Sequence, residues 1–405
     1  MGYQSLLKLF FYDTEEYKAE YQRRFEGSHT VHLDFLINEN QAFFVLEPSL
    51  YNQIIDIYKT DKHIQALSNR LPKIAINHFT QRCLVDEIIL SNGIEGVYSS
   101  RREINSVLSE LETKSRGKRF SGFVQKYMML KNNEPLSFKG CEDIRNLYND
   151  LVYDEIKTDN PDNLPDGKIF RKDANVVVSA TQKEIHRGIY PESKVIDCMC
   201  KALDFLNDES IELLFRIAVF HYLFGYIHPF YDGNGRTSRF ISSYLLSKEF
   251  EPIIAFRLSY TIKENIKDYY EAFKTCNDRR NKGDITPFLF MFVKIINKSF
   301  HQLEESLQKR LRQLNYYRNR ISFLPLAFNE KYETLYSLLI QASLFSENGI
   351  STQELIDITQ TSRTTVTNRI KQLKKNNLII KTTHGNSRYY SLNLDVVDSI
   401  SEQST

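Results

Sequence analysis

The run His228-Pro-Phe-Tyr-Asp-Gly-Asn-Gly-Arg-Thr-Ser-Arg239 sets a base, an acid, two glycines, an amide and two arginines within one turn and the helix start behind it. A polyphosphate and its metal ion need that inventory. Gly233 and Gly235 let the backbone approach an anion and take positive φ where a turn demands it. Their N–H groups, with Asn234 between them, can converge on an anion at the N-terminus of the following helix. Arg236 and Arg239 are three apart, so both can project from one face of that helix toward a phosphate chain. Asp232 offers a hard oxygen suited to Mg2+. His228 is the group in the run whose ordinary pKa lies near neutrality, as a general base requires. Taken singly, the same residues also permit a structural reading. Gly-Asn-Gly is a common turn, and a histidine before proline often serves packing.

The whole string matches His-Pro-Phe-x-(Asp/Glu)-Gly-Asn-Gly-Arg-x-x-Arg at every fixed position, and on it the chain resembles the Fic-domain nucleotidyltransferases. The resemblance runs from about Ser91 to Val293 and has further anchors. Ser91-Asn-Gly-Ile-Glu95-Gly96 looks like the family's inhibitory motif, (Ser/Thr)-x-x-x-Glu-(Gly/Asn), placed before the core. Phe170-Arg171, a hairpin and Tyr190-Pro191 are similar to the family's flap. Tyr269-Tyr270, Asn277 and Gly283-Asp284-x-Thr286-Pro287-Phe288 resemble its nucleoside-contacting helix and the start of its last core helix, with Asp278-Arg-Arg-Asn-Lys282 as a lengthened connection.

The resemblance implies transfer of AMP from ATP to a Tyr, Thr or Ser hydroxyl of a protein, with release of pyrophosphate. His228 would be the base and Asp232 would hold Mg2+. Gly233, Asn234 and Gly235 would cradle the phosphates, with Arg236 at the β- and Arg239 at the γ-phosphate. Tyr269, Tyr270 and Asn277 would contact the nucleoside. The Glu95 carboxylate would pair with Arg239 and block productive ATP binding. Some relatives use that glutamate to remove AMP again, so deAMPylation is a second expected activity. The target would add a strand to the flap, about residues 176–188, and self-modification is open to the chain. His221, on an apolar helix, is expected in the core, and His186 on the hairpin.

Several elements must position these groups. Helical spacing predicts helices over 51–68, 75–92, 99–111 and 142–153. Residues 33–46 contain candidate strand, and 159–167 read as loop. Val176-Val-Val178 and Glu184 to Gly188 predict two short strands. A helix over 193–206 precedes a strongly apolar one over 210–227 that delivers the chain to His228. Further helices are expected from Asn234 or Gly235 to about 248, over 265–277, over 286–300, and as a charged linker over 302–320.

The last segment differs in character. A helix over 332–342, a helix from Ser351 opening with the capping box Ser-Thr-Gln-Glu, a helix Arg363 to Lys375 and a hairpin turning at His384-Gly-Asn386 form a winged helix-turn-helix pattern. Its second helix carries Arg363, Arg369, Lys371, Lys374 and Lys375 without an acid, so DNA or a protein could dock there. The expected fold class is therefore mainly α: a Fic helical core with a small hairpin flap, plus a C-terminal winged helix. The domains would be an N-terminal region 1–75, an inhibitory helix region 76–112, a catalytic core 113–300, a linking helix 301–325 and the winged helix 326–395. A regulator of transcription that uses its Fic core as a nucleotide sensor is the alternative reading.

A length of 405 residues suits two or three domains, and a net charge of +2 gives no global pull toward nucleic acid or anionic membrane. The five cysteines, Cys83, Cys141, Cys198, Cys200 and Cys276, show no metal-site or redox spacing. With no signal peptide, lipidation motif or stretch of membrane-spanning length, a cytoplasmic location is expected, with no membrane partner. A homo-oligomer is among the assemblies left open.

Overall fold

The computed structural model describes residues 3–111, 119–178, 184–384 and 387–403. It is mainly helical, as expected. Two compact units emerge, residues 1–61 with 85–301, and residues 62–84 with 302–405. The flap turn (179–183), the Gly385-Asn386 turn and the expected domain boundary at 112/113 lie outside the described residues.

In the first unit the apolar helix Leu213–Ile227 is buried along nearly its whole length, as its lack of a polar face requires. It packs against Glu192–Leu206 and Asn234–Glu249. The latter, Asn-Gly-Arg-Thr-Ser-Arg-Phe-Ile-Ser-Ser onward, is polar in sequence yet buried through most of its length. Its polar side chains therefore need internal partners, and those partners make up the site below. The strands Val176–Val178 and Glu184–Arg187 pair antiparallel, Val176 opposite Arg187. The helix expected over 142–153 is Cys141–Tyr148. It continues through a π-turn, Asn149–Tyr153, into Asp154–Asp159. The extra residue per turn shifts the helix phase, and Glu155 beyond it is buried.

Residues 1–75 hold elements for which no motif was legible. Helices Leu6–Tyr12 and Thr14–Phe25 are capped by Ser5 and Asp13. A hairpin, Thr30–Ile37 with Asn40–Val45, follows. The helices seat on the lengthened connection noted above, and the hairpin on Gly283 to Ile285 just after it. Its Arg279–Asn281 is a single 3-10 turn, and the Asn281 amide oxygen accepts from the Leu7 N–H at 3.1 Å. Phe43 N–H donates to Gly283 O (3.0 Å) and Ile285 N–H to Phe43 O (2.9 Å). Beside them the buried Asp284 accepts from Tyr3 (2.6 Å) and Arg24 (3.2 Å). The insertion and the segment Gly283 to Ile285 after it thus anchor the N-terminal region.

One expectation is corrected. The helices predicted over 286–300 and 302–320 are a single helix, Thr286–Arg318. No Gly or Pro interrupts it, and the buried spacing Phe300, Leu303, Leu307, Leu311, Leu314 carries straight across the expected 300/301 boundary. The expected 75/76 boundary likewise falls inside a helix, Lys73–Ile94.

The second unit contains helices Glu330–Phe345, Thr352–Thr359 and Arg363–Lys375. Strands Ile379–His384 and Ser387–Leu392 form an antiparallel pair, and a short strand Ile350–Ser351 joins the other edge of Ser387–Leu392. The Ser351–Glu354 capping box forms as read from the sequence, and Glu354 also bonds His78 Nε2 at 2.9 Å. A last helix, Leu394–Gln403, was not foreseen. Among the described residues no helix is long and apolar enough to cross a membrane.

Gly283 tests the anchoring of the N-terminal hairpin. Its φ is +80°, and a Cβ there would stand 2.5 Å from Gln41 O. Gly283→Ala should destabilise the protein by roughly 1–3 kcal/mol, seen as a melting midpoint lower by several degrees. An unchanged midpoint would contradict this seat.

Candidate functional site

The site begins where the apolar helix stops. His228 caps it in the left-handed conformation (φ 52°, ψ 62°), its N–H donating to Phe224 O at 2.9 Å. Pro229 cannot extend the helix, so the chain turns. Phe230 plugs the turn into the core, stacked on Tyr148 at 3.8 Å between ring centres. The Asn234 side chain closes it: Oδ1 accepts from Phe230 N–H (2.9 Å) and Nδ2 donates to Phe230 O (2.7 Å). That amide, expected on a phosphate, is spent bracing the bend. The two glycines have different causes. Gly233 has φ +79° and caps the next helix. Gly235 instead leaves room for a carboxylate: a Cβ there would collide with Glu95 Oε1 and lie 2.8 Å from Arg239 Nη1.

Glu95 therefore reaches the bend across 144 residues of chain. Helix Lys73–Ile94 brings it there and ends on Asn92, whose carbonyl accepts from the N–H groups of Glu95 and Val97, both at 3.0 Å. Gly96, at φ +76°, lets the chain leave. Arg239 is then held on three sides. Nη1 donates to Glu95 Oε1 (2.6 Å), Nε to Ser91 Oγ (3.0 Å) and Nη2 to Ser91 O (2.8 Å). The guanidinium is buried while Glu95 keeps 28% exposure, so the pair is strong but one partner can be withdrawn into solvent. Glu95 and Arg239 are thus paired as the resemblance implied, and Ser91 and Gly235 join them.

Arg236 and Arg239 take different protein partners. Residues three apart on a helix diverge by about 60°, enough to choose different partners. Arg236 Nη1 donates to Glu155 Oε1 at 2.7 Å, both side chains being buried. Its Nη2 lies 3.6 Å from Asp232 Oδ1, beyond hydrogen-bond reach. Arg236 Nε and Nη2 and Glu155 Oε2 are buried without hydrogen-bond partners. Orphaned donors beside a half-buried carboxylate suit an anion with a cation bridging to it. Asp232 meanwhile accepts from the Gly233 N–H. Among the described residues there is no cluster of three or more metal-binding side chains. A Mg2+ at Asp232 would take most of its ligands from phosphate oxygens and water, the usual habit of that ion with nucleotides, so the residues fit.

Behind the arginines lies a buried polar layer. Tyr269, expected at the nucleoside, is buried, and its hydroxyl meets His221 Nε2 at 2.7 Å. His221 Nδ1 meets Ser242 Oγ at 2.9 Å, and Ser242 donates to Ser238 O. Burial drives the His221 pKa down to about 3, the core histidine the sequence implied. Tyr270 is half exposed, and burial together with the nearby Glu95 charge raises its hydroxyl pKa. The Asn277 side chain accepts from Tyr222 at 2.9 Å and its carbonyl from Asn38 at 2.6 Å. Glu87 escaped sequence reasoning, although it precedes Ser91 and Glu95 at helical intervals of four. It is wholly buried and accepts from Ser259 N–H with both oxygens. Burial lifts its pKa to about 7, against the pull of Ser259, Arg239 and Arg257. Glu155 had no local signal at all.

His228 itself is held well below the ordinary imidazole pKa, first by burial and then by the charges of His186 and Arg171. The ring keeps partial solvent access, so the shift is smaller than complete burial would impose. The site therefore offers a neutral imidazole, a bend with unsatisfied donors, and a second arginine covered by a partly exposed carboxylate.

Residues 139–246 match the Fic/DOC family. Over 89 residues the chain is 37% identical to "Protein adenylyltransferase Fic" of Nematostella vectensis, 21% of this chain and 19% of that protein. Over 88 residues it is 39% identical to the protein of the same name in Drosophila erecta, 21% of this chain and 16% of that one. The matches thus span under a fifth of those relatives. The crystal structure of a Fic family protein from Desulfovibrio desulfuricans G20 aligns with a TM-score of 0.51 at 18% identity, covering 86% of this chain and 97% of that one, a likeness of fold. The signature turn lies inside the matched stretch, and the chain carries a Fic-family domain.

Proposed function

We propose that this chain transfers AMP from ATP to a Tyr, Thr or Ser hydroxyl of a protein and that Glu95 restrains it. The observation carrying this reading is the Glu95 carboxylate set against Gly235 and bonded to Arg239 at 2.6 Å. It is an anion seated where the end of a triphosphate would lie.

With Glu95 withdrawn, Arg239 receives the terminal phosphate, and the orphaned Nε and Nη2 of Arg236 meet the β-phosphate. The N-terminus of helix Asn234–Glu249 faces the phosphates with its positive end. Asp232 would hold Mg2+, which when bound neutralises charge on the phosphate oxygens. Tyr270 offers the exposed ring for adenine, with Tyr269 bracing behind it. His228 takes the proton of the target hydroxyl, whose oxygen bonds to the α-phosphorus. The bond from that phosphorus to the α,β-bridging oxygen breaks, and pyrophosphate leaves. The strands Val176–Val178 and Glu184–Arg187 present the target by strand addition. In a hydrolytic step Glu95 would orient a water whose oxygen bonds to the phosphorus of the modified residue; the bond from that phosphorus to the target oxygen breaks, the proton given up by the water reaches that oxygen through His228, and AMP leaves, which gives deAMPylation. A hydroxyl of the chain itself can serve as target at high effective concentration.

Incubation with ATP labelled at the α-phosphate tests the reading. Glu95→Gly should raise protein-bound label roughly ten- to hundredfold, the worth of a lost charged hydrogen bond. His228→Ala in that background should lower it by about 10²–10⁴. Bound label from γ-labelled ATP instead would replace AMP transfer with phosphorylation.

The depressed His228 pKa has a sign. The folded ring binds its proton more weakly than the free side chain, so the base form persists as pH falls through 6.5. The acid limb of kcat/KM for Glu95→Gly should lie below 6.5. For the same reason the histidine's contribution to stability is complete above the unfolded value and declines as pH drops beneath it. A limb at or above 6.5 would contradict this environment.

A second reading rests on a separate surface. Arg363, Lys371, Lys374 and Lys375 are exposed on a helix without an acid, and Lys381 and Arg388 are exposed on the adjoining hairpin. Duplex DNA of mixed sequence should bind, weakening steeply between 50 and 200 mM salt. Replacing Lys371 and Lys375 by alanine should reduce the salt slope by about two. Absence of salt-dependent anisotropy would remove DNA as the partner.

A further inference from the structure

Arg171 is completely buried, and among the described residues no carboxylate pairs with it. Burying a guanidinium without a counter-charge is costly unless its donors are satisfied. Here they are satisfied by main-chain carbonyls alone. Nε donates to His228 O (2.8 Å), Nη2 to Ile189 O (2.9 Å) and Ile227 O (3.4 Å), and Nη1 to Asp173 O. Its own N–H donates to Pro229 O at 3.2 Å. Ile227 and His228 end the apolar helix, so the cation sits at the negative end of that helix dipole, which offsets part of the cost. Asp173 and Ile189 flank the two flap strands. Gly188 is glycine because a Cβ would strike Arg171 Nη2 and come within 3.0 Å of His228 Cβ.

One side chain thus grips the end of the helix that delivers His228 and both roots of the flap. His228 stands in a backbone conformation unfavourable for a non-glycine residue, and its carbonyl is in Arg171's grasp. Asn175 Nδ2 donates to Phe230 O (3.1 Å) and Tyr231 O (2.9 Å), and His186 Nε2 to Tyr226 O (2.7 Å), along the same seam. We propose that Arg171 is a positioning residue: by clamping the carbonyls of Asp173, Ile189, Ile227 and His228 it fixes the imidazole and the base of the flap in one relation, so that a hydroxyl carried on the flap meets the ring. What the ring then does rests on the transferase reading. Arg171 and His186 are the charged or titratable side chains bearing on the ring, with the Gly225 carbonyl acting in the opposite sense.

The test uses the full chain carrying Glu95→Gly, with Arg171→Lys and Arg171→Met added singly. The readouts are His228 titration by NMR, kcat and KM for α-labelled ATP, and thermal melting. Lysine keeps the charge but not the fork. It should leave the His228 titration low and cut kcat about ten- to hundredfold with KM changed less than about threefold. Methionine should also move the His228 pKa and the acid limb toward 6.5. An unshifted His228 titration in a folded Arg171→Met overturns the proposal. If that variant does not fold, Arg171→Lys decides: kcat unchanged, or lost only in proportion to folded protein, overturns it. Should the parent transfer no label at all, the transferase reading fails, and the His228 titration still decides the place of Arg171.

Discussion

One buried cation governs the architecture around the bend. Arg239 lies where solvent cannot reach it, so its charge must be answered by the protein or by a ligand. Ser91 answers twice and permanently, through hydroxyl and carbonyl, while Glu95 answers from a position that keeps access to water. The first two bonds orient the guanidinium, and the third comes from a side chain that keeps contact with water. A polar helix such as Asn234–Glu249 can occupy the interior because this and similar partnerships satisfy it. The Tyr269–His221–Ser242 chain behind it completes the accounting.

Arg236 follows the same logic with a different outcome. Its partner Glu155 is buried too, with the carboxyl raised by that burial against the pull of Arg236. Neither member has a route to water, so this pair holds a shape. The two arginines of one motif thus meet different carboxylates, one buried and one partly exposed, as a consequence of their angular separation on the helix. The incomplete hydrogen bonding of Arg236 and Glu155 marks the same corner as the place where the protein alone does not satisfy itself.

Much of this was readable from local chemistry. The signature turn, the cap at Ser351, the helix end near Asn92 and the apolar helix before His228 all depend on residues within a few positions of one another. The pairing of Glu95 with Arg239 was legible only through family likeness, since nothing local joins residues 144 apart. Glu155 and Glu87 were passed over, and Arg171 was read only as part of the flap, for a related reason. Glu155 is turned inward by a π-turn that no residue type announces, and Arg171 bonds to carbonyls, which carry no sequence signal. Tyr269 and Asn234 were given ligand contacts, whereas neighbouring side chains and backbone had already claimed their polar atoms. The uninterrupted helix Thr286–Arg318 was divided in reading because its composition changes near 300 while its apolar stripe does not.

The missing methyl at Gly235 has an evolutionary corollary. Any larger side chain there would evict the Glu95 carboxylate and, by the same stroke, crowd out whatever anion should take its place. If Glu95 restrains the chain as proposed, restraint and occupancy share a single vacancy, and drift at that position would cost both at once. Release would then have to arise on the opposite wall, by loss of the acid or by withdrawal of the helix that presents it.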